Sequence, residues 1–208
     1  SYNVSVIADG YLYAEIAPVS VVVGQTTSNV DFYLTRSGGI SGKVTDAVSG
    51  SPLQNITVVA LPSAGGTFGW LAVTDANGDY HIITNLASGT YNVTALLPEG
   101  HITKTIPGIA VTAGVEVTGI NLALDRSGII SGKVSASPSG KPLEDVYVSA
   151  VSNDGNYLGY ASTDATGYYR ISSGLGAGQY TVAAYYGASF NLVTDVDVVP
   201  GAETSNVD

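Results

Sequence analysis

The chain has 208 residues, with 17 acidic against seven basic side chains and a net charge of −10, and it contains neither cysteine nor methionine. That charge argues against nucleic acid, which needs clustered Lys and Arg to displace counterions. The missing cysteine excludes disulfides and thiol chemistry, and no apolar run approaches the ~18 residues of a membrane helix.

Apolar content of 45%, 26 glycines and 14 tyrosines suit turn-rich β-sandwiches rather than helices. No leader peptide opens the sequence, which is expected to be a mature form or a fragment. Residues 1–34 read as three or four strands: Tyr2 to Ala8, Tyr11 to Ile16, Val19 to Val23, and Thr26 to Leu34 with Val30, Phe32 and Leu34 on one face. The run from Arg36 to Val44 then matches that from Arg126 to Val134 at a spacing of 90. Strand alternation places Ile40, Gly42 and Val44 inward, and Ser41, Lys43 and Thr45 toward water.

The turn Ser49-Gly50-Ser51-Pro52-Leu53 is matched by Ser139-Gly140-Lys141-Pro142-Leu143. A strand with Ile56, Val58 and Ala60 inward follows, matched by Val146, Val148 and Ala150. A Pro/Gly/Ser loop at 62–67 leads to a strand from Phe68 to Thr74. Next comes Asp75-Ala76-Asn77-Gly78-Asp79-Tyr80, whose side chains and glycine suit a tight hairpin connection. It returns as Asp164-Ala165-Thr166-Gly167-Tyr168-Tyr169, and the Tyr91-Asn92-Val93 strand returns as Tyr180-Thr181-Val182. Two short strands are expected at His101 to Ile106 and Ile109 to Thr112, before Glu116, Val117, Ile120, Leu122 and Leu124 close the copy.

Seven or eight short strands per copy without helical periodicity give an all-β fold of tandem antiparallel Greek-key-type β-sandwiches. The repeats are 35–125 and 126–208. Residues 1–34 form a partial sandwich, the closing strands of a preceding copy, because Thr27-Ser28-Asn29-Val30-Asp31 recurs as Thr204-Ser205-Asn206-Val207-Asp208. The second copy stops where the first segment continues Phe32-Tyr33-Leu34. A few strands lacking their opposing sheet cannot offset an ordering entropy of ~1–2 kcal/mol per residue, so each incomplete end is expected to be finished from outside the chain. The junctions at Leu34 to Gly38 and Leu124 to Gly128 are shorter than flexible linkers and predict a stiff rod.

Four motifs in order, in two copies, carry a family resemblance. They are Gly38-x-Ile40-Ser41-Gly42-Lys43-Val44, the Gly50-Ser51-Pro52-Leu53 turn, Thr74 to Tyr80, and Leu86-x-x-Gly89-x-Tyr91-x-Val93. They resemble carboxypeptidase regulatory-like domains, and the resemblance implies a prealbumin-like (Ig-like) sandwich related to the B-type repeats of Gram-positive adhesins. Such domains serve as stalks, spacers and accessory modules. Some adhesin relatives form a Lys–Asn isopeptide bond with a buried Glu on the Tyr-x-Val strand. Here the inward positions are Tyr91, Val93, Ala95 and Tyr180, Val182, Ala184, while Lys43 and Lys133 point outward, so no cross-link is expected.

Asp75, Asn77 and Asp79 are residue types that line Ca²⁺ loops. The second copy reads Asp164, Thr166 and Tyr168 and loses two ligands, so turn chemistry is the expectation, with no metal and no cofactor. His81 and His101 are the only histidines, and His81 corresponds to Arg170. No Ser/His/Asp set or carboxylate pair repeats, and no catalytic residues are assigned. Phe68, Trp70, Tyr157 and Tyr160 could stack on sugar rings, although aromatics on sandwich strands more commonly pack. Asn3, Asn55 and Asn92 open glycosylation sequons on outward positions.

These features lead to a non-enzymatic structural protein of the cell surface or extracellular space, a rod, stalk or filament of head-to-tail domains. Its expected partners are copies of itself and glycans, not nucleic acid. The alternative is a carbohydrate-binding or accessory module of a secreted enzyme or receptor.

Overall fold

Alternating apolar side chains and closely spaced turns keep the backbone extended. In the computed structural model, which describes residues 1–65, 69–96 and 99–208, no helix forms among the described residues. The chain is all-β, built of sandwich sheets whose long strands pair antiparallel. It opens with β1 (Tyr2–Val6) and β2 (Ala14–Val19). The first copy follows with β3 (Gly38–Asp46), β4 (Thr57–Pro62), β5 (Trp70–Val73), β6 (Asp79–Leu86), β7 (Gly89–Leu96), β8 (Lys104–Val111), β9 (Glu116–Val117) and β10 (Leu122–Leu124). The second supplies β11 (Ile129–Lys133), β12 (Ser135–Ala136), β13 (Lys141–Pro142), β14 (Tyr147–Ser152), β15 (Leu158–Ser162), β16 (Tyr168–Ile171), β17 (Gly178–Tyr186), β18 (Ser189–Val198) and β19 (Glu203–Thr204).

The sheets repeat. The first copy has one of order β10-β3-β6, with β9 parallel to β3, and one of order β5-β4-β7-β8. The second has β16-β11-β19 and β15-β14-β17-β18. By contacts the chain divides into two compact units. Unit 1 holds residues 1–45, 52–95 and 105–122, and unit 2 holds 46–51, 96–104 and 123–208. In unit 2 the buried core includes Ile130, Tyr169 and Ile171 of one sheet, Val148, Ala150, Tyr180 and Val182 of the other, and Val146 just before β14. In unit 1 the matching positions Ile40, Tyr80, Ile82, Val58, Ala60, Tyr91 and Val93 are buried.

The inward glycine of β3 has a steric cause. A Cβ on Gly42 would lie 2.0 Å from Ile120 O, and one on Gly132 would lie 2.0 Å from Val207 O. The closing segment crosses there, held by the Tyr80 hydroxyl, which donates to Ile120 O at 2.6 Å, and by Tyr169, which donates to Val207 O at 2.6 Å. Burial pushes both phenol pKa values well up.

Several expectations change. Residues 20–35 form no strand, although Val19 to Val23 and Thr26 to Leu34 alternate suitably. Extended chain becomes strand only where a neighbour pairs with its backbone, and Val23 and Tyr33 stand 101% and 92% exposed. The two strands expected between His101 and Thr112 are a single β8, which tolerates Pro107 because it lies at a sheet edge. Ser41, expected in water, is buried; its strand is flanked by β6 on one side and by β9 and β10 on the other.

Candidate functional site

The most heavily bonded charge among the described residues ends β3. Asp46 opens the turn to Pro52: its carbonyl accepts from Gly50 N at 2.9 Å and its amide donates to Ser51 O at 2.9 Å. Its Oδ1 caps the turn by accepting from Val48 N at 3.0 Å, Ser49 N at 2.7 Å and Ser49 Oγ at 3.0 Å. Arg126 donates to the same carboxylate from Nε (2.8 Å, to Oδ2) and Nη2 (3.4 Å, to Oδ1). His101 Nε2 lies 3.1 Å from Oδ2, and its Nδ1 lies 3.0 Å from Glu99 O. The Asp46 side chain is only 6% exposed. The Arg126 guanidinium, followed by the Ser49 amide, holds its pKa far below the usual carboxylate range against the opposing cost of desolvation.

Backbone bonds fix the cluster. Ala47 N donates to Leu124 O, Ile102 N to Asp125 O and Ser127 N to Gly100 O, each at 2.9 Å. Asp46, His101 and Arg126 all belong to unit 2. Sequence reasoning passed over this cluster. Its signal lay in the comparison of copies, where Arg36 and Arg126 match but Asp46 becomes Ala136.

The residues singled out from the sequence lie apart from it. Asp75 Oδ1 accepts from Asn77 N at 2.8 Å and Asp79 N at 2.9 Å, and Gly78 has φ 76°. Asp164 does the same with Thr166 N (2.8 Å) and Tyr168 N (3.1 Å) beside Gly167 at φ 74°. The Asp79 carboxylate lies 3.0 Å from Lys43 Nζ, which also donates to Asn77 O. No group of three or more His, Asp or Glu that could hold a metal occurs among the described residues.

His81 pairs with Glu116 at 3.3 Å, and in the second copy Arg170 pairs with Glu203 at 3.8 Å. The two copies therefore share a position where a basic side chain meets a carboxylate, which the differing residue types conceal. Trp70 meets Tyr91 edge to face at 6.4 Å. Tyr157 covers Gly176 and packs against the core, and Phe68 lies outside the described residues. Tyr160, 57% exposed, starts an outward row in which Tyr147, Tyr185 and Phe190 follow at centroid spacings of 6.0, 6.2 and 6.2 Å.

Among the sequons, Asn3 and Asn55 are exposed, Asn55 in a bend with φ 62° rather than within a strand. Asn92 is half-buried, its amide oxygen accepting from Ser63 Oγ at 2.8 Å and Gly108 N at 3.2 Å. No helix among the described residues is long and apolar enough to cross a membrane.

The chain is 29% identical over 170 residues to halomucin of Haloquadratum walsbyi, covering 81% of this chain and spanning 2% of that protein. Among solved structures, a streptococcal ancillary pilin is similar at TM-score 0.39 and 15% identity, over 97% of this chain and 72% of the pilin. The Bacillus anthracis TIE protein is similar at 0.35 and 15%, over 81% of this chain and 33% of that one. At those scores neither structural likeness carries weight on function. The carboxypeptidase regulatory-like domain model matches residues 39–125 and again 129–208, and the chain belongs to that family.

Proposed function

We propose that this chain is a non-catalytic structural segment of a cell-surface or extracellular protein, in which sandwich copies follow head to tail as a stiff rod, stalk or filament. The observation that carries the reading is the Asp46–His101–Arg126 cluster. A carboxylate from the first sequence copy is locked to the opening residue of the second, through a connection of Asp125, Arg126 and Ser127 with no flexible spacer. In this reading the copies are 35–125 and 126–208, and 1–34 closes a preceding one. The likeness to a protein named halomucin supports an extracellular place, and Asn3 and Asn55 are the sequons open to glycans.

Small-angle X-ray scattering of the full chain tests the reading. An extended particle whose flexibility rises in Asp46→Ala is expected; freely jointed domains in the unaltered protein, or no change in the variant, would count against it. A second reading, a carbohydrate-binding module, is favoured by the exposed Tyr160–Tyr147–Tyr185–Phe190 row. A glycan array with Tyr147→Ala and Tyr185→Ala decides it: saturable binding lost in both variants supports that module.

A further inference from the structure

The outer face of the β15-β14-β17-β18 sheet is apolar, where the solvated face of an antiparallel sheet is ordinarily polar. Strand alternation directs Tyr147 and Val151 outward from β14, and the register carries the surface across all four strands. Tyr147 faces Tyr185, which faces Phe190; Val151 faces Leu158, and Leu192 faces Ala183. With Tyr160, the large side chains of this face are each between 42 and 66% exposed. No charged residue occurs in 147–151, 158–162, 181–185 or 190–192, the segments that build it. At ~150–250 Å² per aromatic side chain, the exposed parts of the four rings amount to roughly 400 Å², and the aliphatic side chains bring the patch to roughly 600–700 Å². That exceeds the ~300–600 Å² of the largest patch on a typical monomer. The first copy has the same layout in aliphatic form, with Leu71, Val73 and Leu96 exposed on its β5-β4-β7-β8 sheet. Leu96 stands at the place of Tyr185 and stays exposed with an entire second copy following it in the chain.

We propose that this face of unit 2 packs against the same face of a second copy of the chain, joining two chains side by side. Two such faces laid together bury roughly 1,200–1,400 Å², within the size range of stable protein interfaces. The face is self-complementary in relief. Ser149 and Ala183, paired across β14 and β17, are small and buried, so larger side chains flank a shallow trough that the partner's ring row can enter. It is self-complementary in charge as well. At a net charge of −10 two copies repel one another, and this face brings no carboxylate up to another. A saccharide fits less well, because its hydroxyls need hydrogen-bonding side chains placed beside the rings. Ser149 is buried and the Thr181 hydroxyl is bonded to Asn153 Oδ1 at 3.3 Å, which leaves Ser162 to serve them. The contact is isologous and closes on a pair of chains. It goes beyond the head-to-tail reading and does not rest on it.

Sedimentation of the full chain over a concentration series tests the proposal, with Tyr147→Thr/Tyr185→Thr as the variant and the exposed Tyr33→Thr as the control. Threonine suits a strand and already stands at position 57, the counterpart of Tyr147. Phe190→Thr/Leu192→Thr, on the edge strand β18, is a second variant of the same face. Circular dichroism checks that each remains folded. The unaltered chain and the control are expected to pair reversibly below ~1 mM, more tightly at ~0.5 M than at ~0.05 M salt, because salt screens the repulsion. Each double variant should associate at least about tenfold more weakly. A chain that stays monomeric at ~1 mM in both salts overturns the proposal, and so does undiminished association in folded double variants. A monomer that binds cellohexaose or chitohexaose saturably, and loses that binding in Tyr147→Thr/Tyr185→Thr, gives the face to a saccharide and overturns the second copy as its occupant. The scattering test of the rod is made on dilute monomer, so the head-to-tail reading stands or falls separately.

Discussion

The two copies agree wherever backbone crosses backbone and part company at Asp46. Gly42 and Gly132 admit the same carbonyl at the same 2.0 Å. Thr74 and Thr163, both buried, each accept at 2.9 Å from the amide just before a strand (Ile56 N, Val146 N) and donate to a carbonyl at 2.7 and 2.6 Å (Leu53 O, Leu143 O). Ser37 and Ser127 likewise accept from Leu86 N and Leu175 N at 2.7 and 3.0 Å. Asp46, by contrast, is Ala136 in the second copy. The shared set builds a sandwich anywhere in the array, because each member answers a backbone group that every copy buries. Asp46 belongs to one place, where Arg126 and His101 converge on it.

The largest expected effect tests the shared set. Gly42→Ala and Gly132→Ala each drive a methyl into a backbone carbonyl that no rotamer change can relieve, and should cost about 3 kcal/mol or more. Urea unfolding should show similar losses for the two; a tolerated alanine in either copy would break the equivalence.

Asp46 comes next. Asp46→Ala leaves Arg126, His101 and the turn amides at 48 and 49 without their acceptor, and should lower Tm by roughly 5 °C or more. The pH dependence has a definite sign. The folded-state pKa is depressed, so the stabilisation is fully present above the unfolded value of about 3.9 and is lost progressively as pH falls from there through the folded value. The gap in Tm between the unaltered protein and Asp46→Asn should therefore be constant from neutral pH down to about 4 and shrink in stronger acid. A gap that closes between pH 6 and 7 would show that the carboxylate is not the group responsible.

The sheet pattern was legible because alternation and turn residues act locally. Ile40, Val58, Tyr91 and Val93 are buried as their parity requires, and Gly78 and Gly167 take the positive φ their turns need. What was not legible depends on distant partners. Val30, Phe32 and Leu34 alternate as a strand should, yet strand formation needs a neighbour that no local signal supplies. Asp46 resembled any turn aspartate, since the residues that make it special lie 55 and 80 positions away. The family resemblance implied the fold for a similar reason, as its motifs are the local residues of the shared set.

A smaller effect probes the buried threonines. Valine at 74 or 163 keeps the shape but removes the hydroxyl, orphaning one amide and one carbonyl. Each change should cost about 1–3 kcal/mol by urea unfolding, with no dependence on salt. Unequal costs would show that one copy relaxes where the other cannot.

The smallest expected effect separates the two outer carboxylates. Glu116 meets only the well-exposed His81 at 3.3 Å, a pairing that water and salt largely screen. Glu203 sits at the matching place and meets Arg170 at 3.8 Å, but it also accepts from the Ser131 hydroxyl at 2.6 Å, and Ser131 is buried. Removing Glu116 therefore sacrifices only an exposed polar contact, whereas removing Glu203 also strands a buried donor. Glu116→Ala should change stability by no more than ~0.5 kcal/mol and lose even that at high salt. Glu203→Ala should cost about 1 kcal/mol more and keep that cost in salt. The double variant Ser131→Ala/Glu203→Ala should recover most of the excess, because no buried hydroxyl is then left unsatisfied. Equal, salt-sensitive losses at both glutamates would mean that the Ser131 bond contributes nothing and that the copies differ here in name alone.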